Sequence, residues 1–225
     1  MTRKVFDQEL DRMHSDIASL GARVEDIIGR TKAALQNYDI EEARDIHEKD
    51  YKINAAQNTL EQQCVNLIAL QQPLASDLRG ITGTLKMVTD IERVADQCAD
   101  ICEIVLTYPE LKKLQVPQAI SSMFDRSKDM FARAIDSFLR VDQDLAKEVR
   151  EADDEVDALF SRVVIEMTEI LKDDQALVAA ATDYMFIAKY LERMADHATN
   201  IAEWAIYLAT GEHRNLGANL VDGKA

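Results

Sequence analysis

An all-α fold of six long helices is what this sequence predicts, and three observations predict it. The 225 residues include only seven Gly and three Pro, ten turn formers where average usage gives about 27. Apolar residues recur at a helical period almost throughout. One stretch also repeats a hundred residues later, the mark of a duplicated unit. So few chain breakers leave β-sandwiches, barrels, doubly wound sheets and Gly-rich phosphate loops without support.

Taken in order, the first helix runs from Thr2 to Asn37 and the second from Ile40 to Gln72. Pro73 suits the first turn of a third helix, which runs to Tyr108. Residues 109–117 hold two prolines close together and read as a linker. A fourth helix spans Gln118 to Val141, a fifth Leu145 to Lys172 and a sixth Ala176 to Thr210, with Gly211 as its C-terminal cap. Residues 212–225 read as a flexible tail. The longest rods reach about 50 Å at 1.5 Å per residue and are stable only when packed lengthwise. Three rods per half give two tandem three-helix bundles, residues 1–108 and 118–211.

Forty-one acids against 26 bases leave a formal charge of −15, which excludes a direct grip on nucleic-acid phosphates. Nor does any run approach the roughly 18 apolar residues of a spanning helix, so direct membrane insertion is not expected. The three cysteines show no disulfide-like spacing and the N-terminal residues do not resemble a secretion signal, which points to the cytoplasm. Cys98 and Cys102, four apart, read as buried thiols rather than soft metal ligands.

The repeat is local. DIERVADQCADICEI at 90–104 and YLERMADHATNIAEW at 190–204 share six of 15 positions, whereas the 16 preceding positions share only Thr82 with Thr182. DYKIN at 50–54 echoes DDEVD at 153–157, an offset of 103 that implies a shorter hairpin in the second half.

Within the third helix Leu74, Leu78, Ile81, Leu85, Val88, Glu92, Ala95, Ala99 and Cys102 follow the three-and-four spacing of an apolar seam. Glu92 violates it, and Glu192 makes the same violation in the sixth helix. Asp96 and Asp100 follow Glu92 about 40° and 80° round the helix, as Asp196 and Asn200 follow Glu192. Asp50 with Asn54, and Asp153 with Asp157, add similar pairs on the second and fifth helices. Stacked carboxylates repel, more so as water is removed. Either Arg and Lys such as Arg93 and Arg193 neutralise them, or a divalent or trivalent cation bridges the two helices. Clustered oxygens suit hard ions: magnesium, calcium, manganese or ferric iron.

No Glu-x-x-His of the helical carboxylate oxidases occurs. His197 sits about 100° round the helix from Asp196 and reads as a surface residue or a peripheral ligand. His14, His47 and His213 stand alone. The Met, Phe and Tyr residues at 123–138 and 184–190 read as core filling. An enzyme is therefore not predicted; a metal-dependent enzyme or a metal-storage protein is the alternative reading of the acidic stripes.

At these residues the chain resembles the PhoU family, bacterial regulators of phosphate uptake and of the phosphate-starvation response. QPLASDLR at 72–79 resembles the family's signature after its second helix, and IERVAD at 91–96 and LERMAD at 191–196 resemble its repeated Glu-Arg-x-x-Asp motif. The resemblance implies two tandem three-helix bundles and multinuclear metal clusters held by acidic pairs. Those pairs map onto Glu92 with Asp96, Asp96 with Asp100, Glu192 with Asp196, and Asp153 with Asp157; iron, manganese, magnesium, calcium or zinc would be the ion. Asn54 and Asn200 stand at acidic slots, and Ala95 and Ala195 where the family often has Gly. Asp77 and Arg79 have no counterparts at Leu177 and Ala179, so their role, capping the third helix ahead of adding a ligand, belongs to one half only. By resemblance the protein is a homodimeric negative regulator. Its partners are the ATPase of a phosphate ABC transporter and a membrane sensor histidine kinase, and it reaches the membrane only through them. Clustered acids would repel phosphate unless a cation lay between, and no anion-binding loop is present, so sensing through those partners is expected.

Overall fold

The computed structural model describes residues 3–71 and 73–212. Thr2, Gln72, His213 and the tail with Gly217 and Gly223 lie outside the described residues. The helices are α1 (Arg3–Asn37), α2 (Ile40–Lys49), α3 (Tyr51–Gln71), α4 (Ala75–Thr107), α5 (Gln118–Arg140), α6 (Gln143–Asp173) and α7 (Val178–Thr210). Short 3₁₀ helices occupy Pro109–Lys113 and Gln175–Leu177. No strand occurs among the described residues.

The expected second helix is divided. Asp50 separates α2 from α3 while keeping right-handed dihedrals, φ −53° and ψ −36°, so the two pieces form one interrupted rod. The third rod opens at Ala75 rather than Pro73, because Leu74 is extended at ψ 166° and forms the N-cap. Asp77 then sits in the first turn, where a carboxylate complements the helix dipole. Leu74 and Leu78, expected in the seam, are exposed. The apolar seam itself holds from Ile81 to Cys102. At the other end of the chain Gly211 caps α7 as expected, at φ 78°, with its N–H donating to Tyr207 O at 2.8 Å.

Turns in the two halves match residue for residue. Tyr38 and Val141, 103 apart, both adopt left-handed dihedrals, φ 50° and φ 54°. The next N–H closes a six-residue loop each time, Asp39 to Ala34 O and Asp142 to Ser137 O, both at 2.8 Å. Asp39 and Asp142 then cap the following helix, accepting from Glu42 N–H and from Asp144 and Leu145 N–H. Asp142 therefore starts α6 at Gln143, two residues before the sequence suggests. The offset becomes 100 by the last helix of each half, and Gln175–Leu177 occupies the place of the first turn of α4. That is the shortened hairpin.

α1, α2 and α3 pack on α4; α5 and α6 pack on α7; α4 lies along α7 and α1 against α5. A Cβ on Gly21 would sit 3.2 Å from Ile135 Cγ2, so glycine permits that α1–α5 approach. α4 and α7 run antiparallel: Arg79 meets Gly211, Gly83 meets Leu208, and Asp90 meets His197. Ala95 and Ala195 are both buried, about 140° and 160° round their helices from Asp90 and His197, so their methyl groups lie in the seam of their own half and not on the α4–α7 face. Burial repeats at the offset of 100: Ile91 with Leu191, Val94 with Met194, Cys98 with Ala198, Cys102 with Ala202. One apolar cluster extends from Phe6 on α1 to Ala205 on α7, crossing both halves. Each large apolar side chain buried in it stabilises the fold by about 1.5–3 kcal/mol.

The stretch between the halves is not a loose tether. Leu111 is buried and the Tyr184 hydroxyl donates to Leu114 O at 3.3 Å, pinning the 3₁₀ turn to α7. Cys98 and Cys102 are buried thiols, as the sequence suggests, and burial raises their pKa. Among the expected core aromatics, Phe124, Phe131, Phe138 and Tyr184 are buried, but Phe186 is 55% exposed. Phe186 lies at the rim of the α4–α7 interface, where it is open to solvent.

Candidate functional site

The seam glutamates are withdrawn from water. Only 13% of the Glu92 side chain and 16% of the Glu192 side chain is exposed. Each lies where its third-position helix faces the middle rod of its own half, so a carboxylate occupies a groove that a leucine would fill.

In the first half Asp50 stands at the break between α2 and α3, close to Glu92 and Asp96 on α4. Burial pushes the Asp50 carboxyl above its ordinary range and the Asp96 charge adds to this; the Asn54 amide and His47 oppose it. Asn54 Nδ2 donates to Asp50 Oδ2 at 3.1 Å, while Asn54 Oδ1 is buried and accepts nothing. Glu92 and Asp100 are raised as well, by burial and then by Asp96. Arg93 answers part of this charge, its Nη1 lying 3.0 Å from Asp96 Oδ2 and its Nε 3.6 Å from Glu92 Oε2. Arginine neutralisation and oxygen clustering are thus both present in the first half.

Asp153 on α6 faces Glu192 and Asp196 on α7 in the second half, with Asp157 one turn further along. Burial pushes the Asp153 carboxyl up to about 6, and Asp196, Asp157 and Glu192 add to the shift. Asp196 is raised by burial and by Glu192. Lys189, not Arg193, pairs with Glu192, and its ammonium lies 5.8 Å from the Phe160 ring. Asp157, Asp196 and Asn200 are exposed.

Nine of the ten acidic or amide positions therefore gather as two clusters, one per half. Asn200 does not join them. Its Nδ2 donates to Asp90 Oδ1 at 3.2 Å across the α4–α7 interface. His197 is drawn to the same oxygen, Nδ1 to Oδ1 2.9 Å, and is partly buried rather than a surface residue. Their partner lies in the other half, where no local spacing could reveal it. Two neighbours of the first cluster were also hidden. His47 is three residues before Asp50, its Nδ1 3.4 Å from Ala99 O, and Glu61 is seven residues after Asn54 and adds charge near Glu92. Helical spacing from Asp50 and Asn54 was the available signal for both.

The donors are almost all oxygens, which is the chemistry of hard cations. The buried, unpartnered Asn54 Oδ1 fits such an ion, since an amide oxygen lacking a donor is a ready ligand. As the side chains stand, no three His, Cys, Asp or Glu among the described residues close on a common point able to hold a metal.

Sequence comparison places the chain. The family model described as the PhoU domain matches twice, at residues 17–105 and 120–205. This chain belongs to the PhoU family. The phosphate-specific transport system accessory protein PhoU homolog of Clostridium acetobutylicum is 36% identical over 217 residues, 96% of this chain and 99% of that protein. Among solved structures, PhoU from Pseudomonas aeruginosa superposes with a TM-score of 0.86 at 30% identity, covering 92% of this chain and all of that one. The phosphate transport system regulatory protein PhoU from Streptococcus pneumoniae gives 0.87 at 31% identity, covering 92% and 98%. The two PhoU repeats begin 103 residues apart and end 100 apart, in step with the turns and the seams.

Proposed function

We propose that this protein regulates phosphate transport negatively, as a metal-loaded helical adaptor between the ATPase of a phosphate ABC transporter and a membrane sensor histidine kinase. The accessory role named for its PhoU relatives supports the transport assignment. The observation that carries the rest is the acid cluster built twice, each around a glutamate withdrawn from water. Asp50, Asn54, Glu92, Asp96 and Asp100 would hold the ion of the first half. Asp153, Asp157, Glu192 and Asp196 would hold that of the second, with Asn200 at its margin. An ion there supplies positive charge, cancels the repulsion and ties the middle rod to the last rod of each half.

In this reading the protein has no turnover and acts in the cytoplasm as a homodimer. No described helix is long and apolar enough to cross a membrane, in keeping with recruitment by partners. Phosphate is sensed through those partners, because the sequence offers no glycine-rich anion-binding loop.

Purification without chelators, elemental analysis and capture of the transporter ATPase and of the kinase's soluble portion test the proposal together. The wild type should carry stoichiometric iron, manganese, magnesium, calcium or zinc and capture at least one partner. Glu92→Gln with Glu192→Gln should lose the metal and weaken capture. Iron uptake with oxidase activity would favour the enzyme or storage alternative. Metal-free protein that captures both partners normally would overturn the metal-loaded adaptor.

A further inference from the structure

The interface between α4 and α7 ends differently at its two extremities. At one end position 83 is glycine, and a Cβ there would lie 3.4 Å from Leu208 Cδ1 and 3.5 Å from Phe138 Cε2, so apolar side chains fill the space. The duplicated positions at the other end are Asp183 and Tyr108. Here the interface opens into a cavity of about 270 Å³, lined among others by Asp100, Glu103 and Asp183 and by Tyr108, Phe186 and Tyr190. The first half thus serves as an internal control: the same place in the same bundle packs shut without an acid.

Asp183 is 8% exposed and its Oδ2 is buried without a hydrogen bond. Desolvating a carboxylate without a partner is costly, and burial raises its pKa. No Lys or Arg among the described residues lines the cavity beside the three acids; Arg193, outside the lining, offsets part of the charge at Asp100, and nothing pairs with Asp183 Oδ2. Three aromatic rings stand beside them, Phe186 and Tyr108 being 55% and 46% exposed. Acids beside ring faces select an organic cation: a guanidinium forks onto carboxylates and stacks on rings, whereas a hard metal ion asks for oxygens alone. A buried charge ringed by exposed aromatics has the anatomy of a protein-binding hot spot, and the net charge of −15 favours a basic partner.

We propose that the cavity between Asp183, Glu103 and Phe186 is a socket for an arginine side chain presented by a partner protein. The choice of a protein partner rests on the adaptor reading above. Asp100 borders both this socket and the first acid cluster, so the tests leave it intact.

Acetyl-arginine amide, with neutral acetyl-citrulline amide as control, is titrated into the full chain and followed by backbone amide NMR. Saturable shifts confined to residues around 100–108 and 183–190 are expected for the arginine compound alone. Asp183→Asn and Phe186→Ala should weaken them by about tenfold, the size expected for losing one charge-assisted contact. Phe186 is exposed, so its variant keeps the test open if Asp183→Asn fails to fold. Absence of saturable shifts, equal shifts with citrulline, or unchanged binding in Phe186→Ala would overturn the socket. In capture of the transporter ATPase and of the kinase, both variants should retain less partner than wild type. Normal capture by variants that no longer bind acetyl-arginine amide would overturn the partner assignment. Failure of the wild type to capture either protein would instead sink the adaptor reading, while the titration still reports on the socket.

Discussion

The two halves share a plan but not an electrostatic environment. In the first, Asp50 receives an amide N–H from Asn54 and the influence of His47, and Arg93 bridges Glu92 and Asp96. In the second, burial and then Asp196, Asp157, Glu192 and Asp154 push Asp153 up to about 6, while Lys189 pairs with Glu192. Duplication kept the positions of the acids while their company diverged. Asp153 of the second cluster is pushed further from its ordinary range than Asp50, Glu92 or Asp100 of the first, so on the metal-loaded reading a cation there would relieve more.

That contrast can be broken by metal titration. A cation binding only the folded chain stabilises it by about 2.7 kcal/mol at a hundred times its dissociation constant. Thermal melts with manganese should show the larger share of the stabilisation lost in Asp153→Asn or Glu192→Gln, and the smaller share in Glu92→Gln. Equal losses would show that the two sites are equivalent after all.

Without metal the sign reverses. The unfolded chain ionises Asp153 near pH 4 and the folded chain near 6. Ionisation therefore favours the unfolded state, and stability attributable to this group falls as pH rises through that window. Asp153→Asn should stabilise the chelated protein at pH 7 by about 1–2 kcal/mol and have little effect below pH 4. Asp50→Asn should gain less, since Asn54 and His47 already oppose the shift at Asp50 and the substitution turns a charge-assisted hydrogen bond into a neutral one. Urea unfolding at the two pH values measures both.

The paired turns sharpen the comparison further. Val141 is exposed and β-branched in a left-handed conformation, so Val141→Gly should stabilise by about 0.5–1 kcal/mol. Tyr38 holds the same conformation but packs on the core and beneath Lys112, 4.8 Å from the ring centre. Tyr38→Gly should therefore destabilise by about 1–3 kcal/mol. The smallest effect is expected at the inter-half contact: His197→Ala should cost under about 1 kcal/mol, detectable as a melting shift of a few degrees at most.

Much of this was legible in the chain before folding. Scarce Gly and Pro with unbroken helical periodicity dictate rods, and a glutamate inside an apolar seam is conspicuous because the surrounding pattern is regular. The break at Asp50 was not legible, since its dihedrals stay helical and its neighbours are all helix-compatible. The antiparallel register of α4 on α7 depends on the fit of two distant faces, so Asp90, His197 and Asn200 could not be assigned to one another from spacing. Phe186 departs from the expected core because helical period identifies a face only where the whole face is apolar; it stands at the rim of the α4–α7 interface, where the packing opens into the cavity. Asp183 passed unnoticed for the opposite reason, an isolated acid whose burial is decided by a helix from the other repeat.

The antiparallel packing of α4 on α7 bears on the origin of the molecule. A single bundle with this last rod would expose the face that α4 and α7 now turn to each other, needing a twin, and the twin that fits is itself, turned through half a revolution. An ancestral bundle that associated with its own kind would have met that need, and tandem fusion made the mate permanent. Cutting the chain between Lys113 and Gln118 should then yield fragments that recover solubility only when mixed.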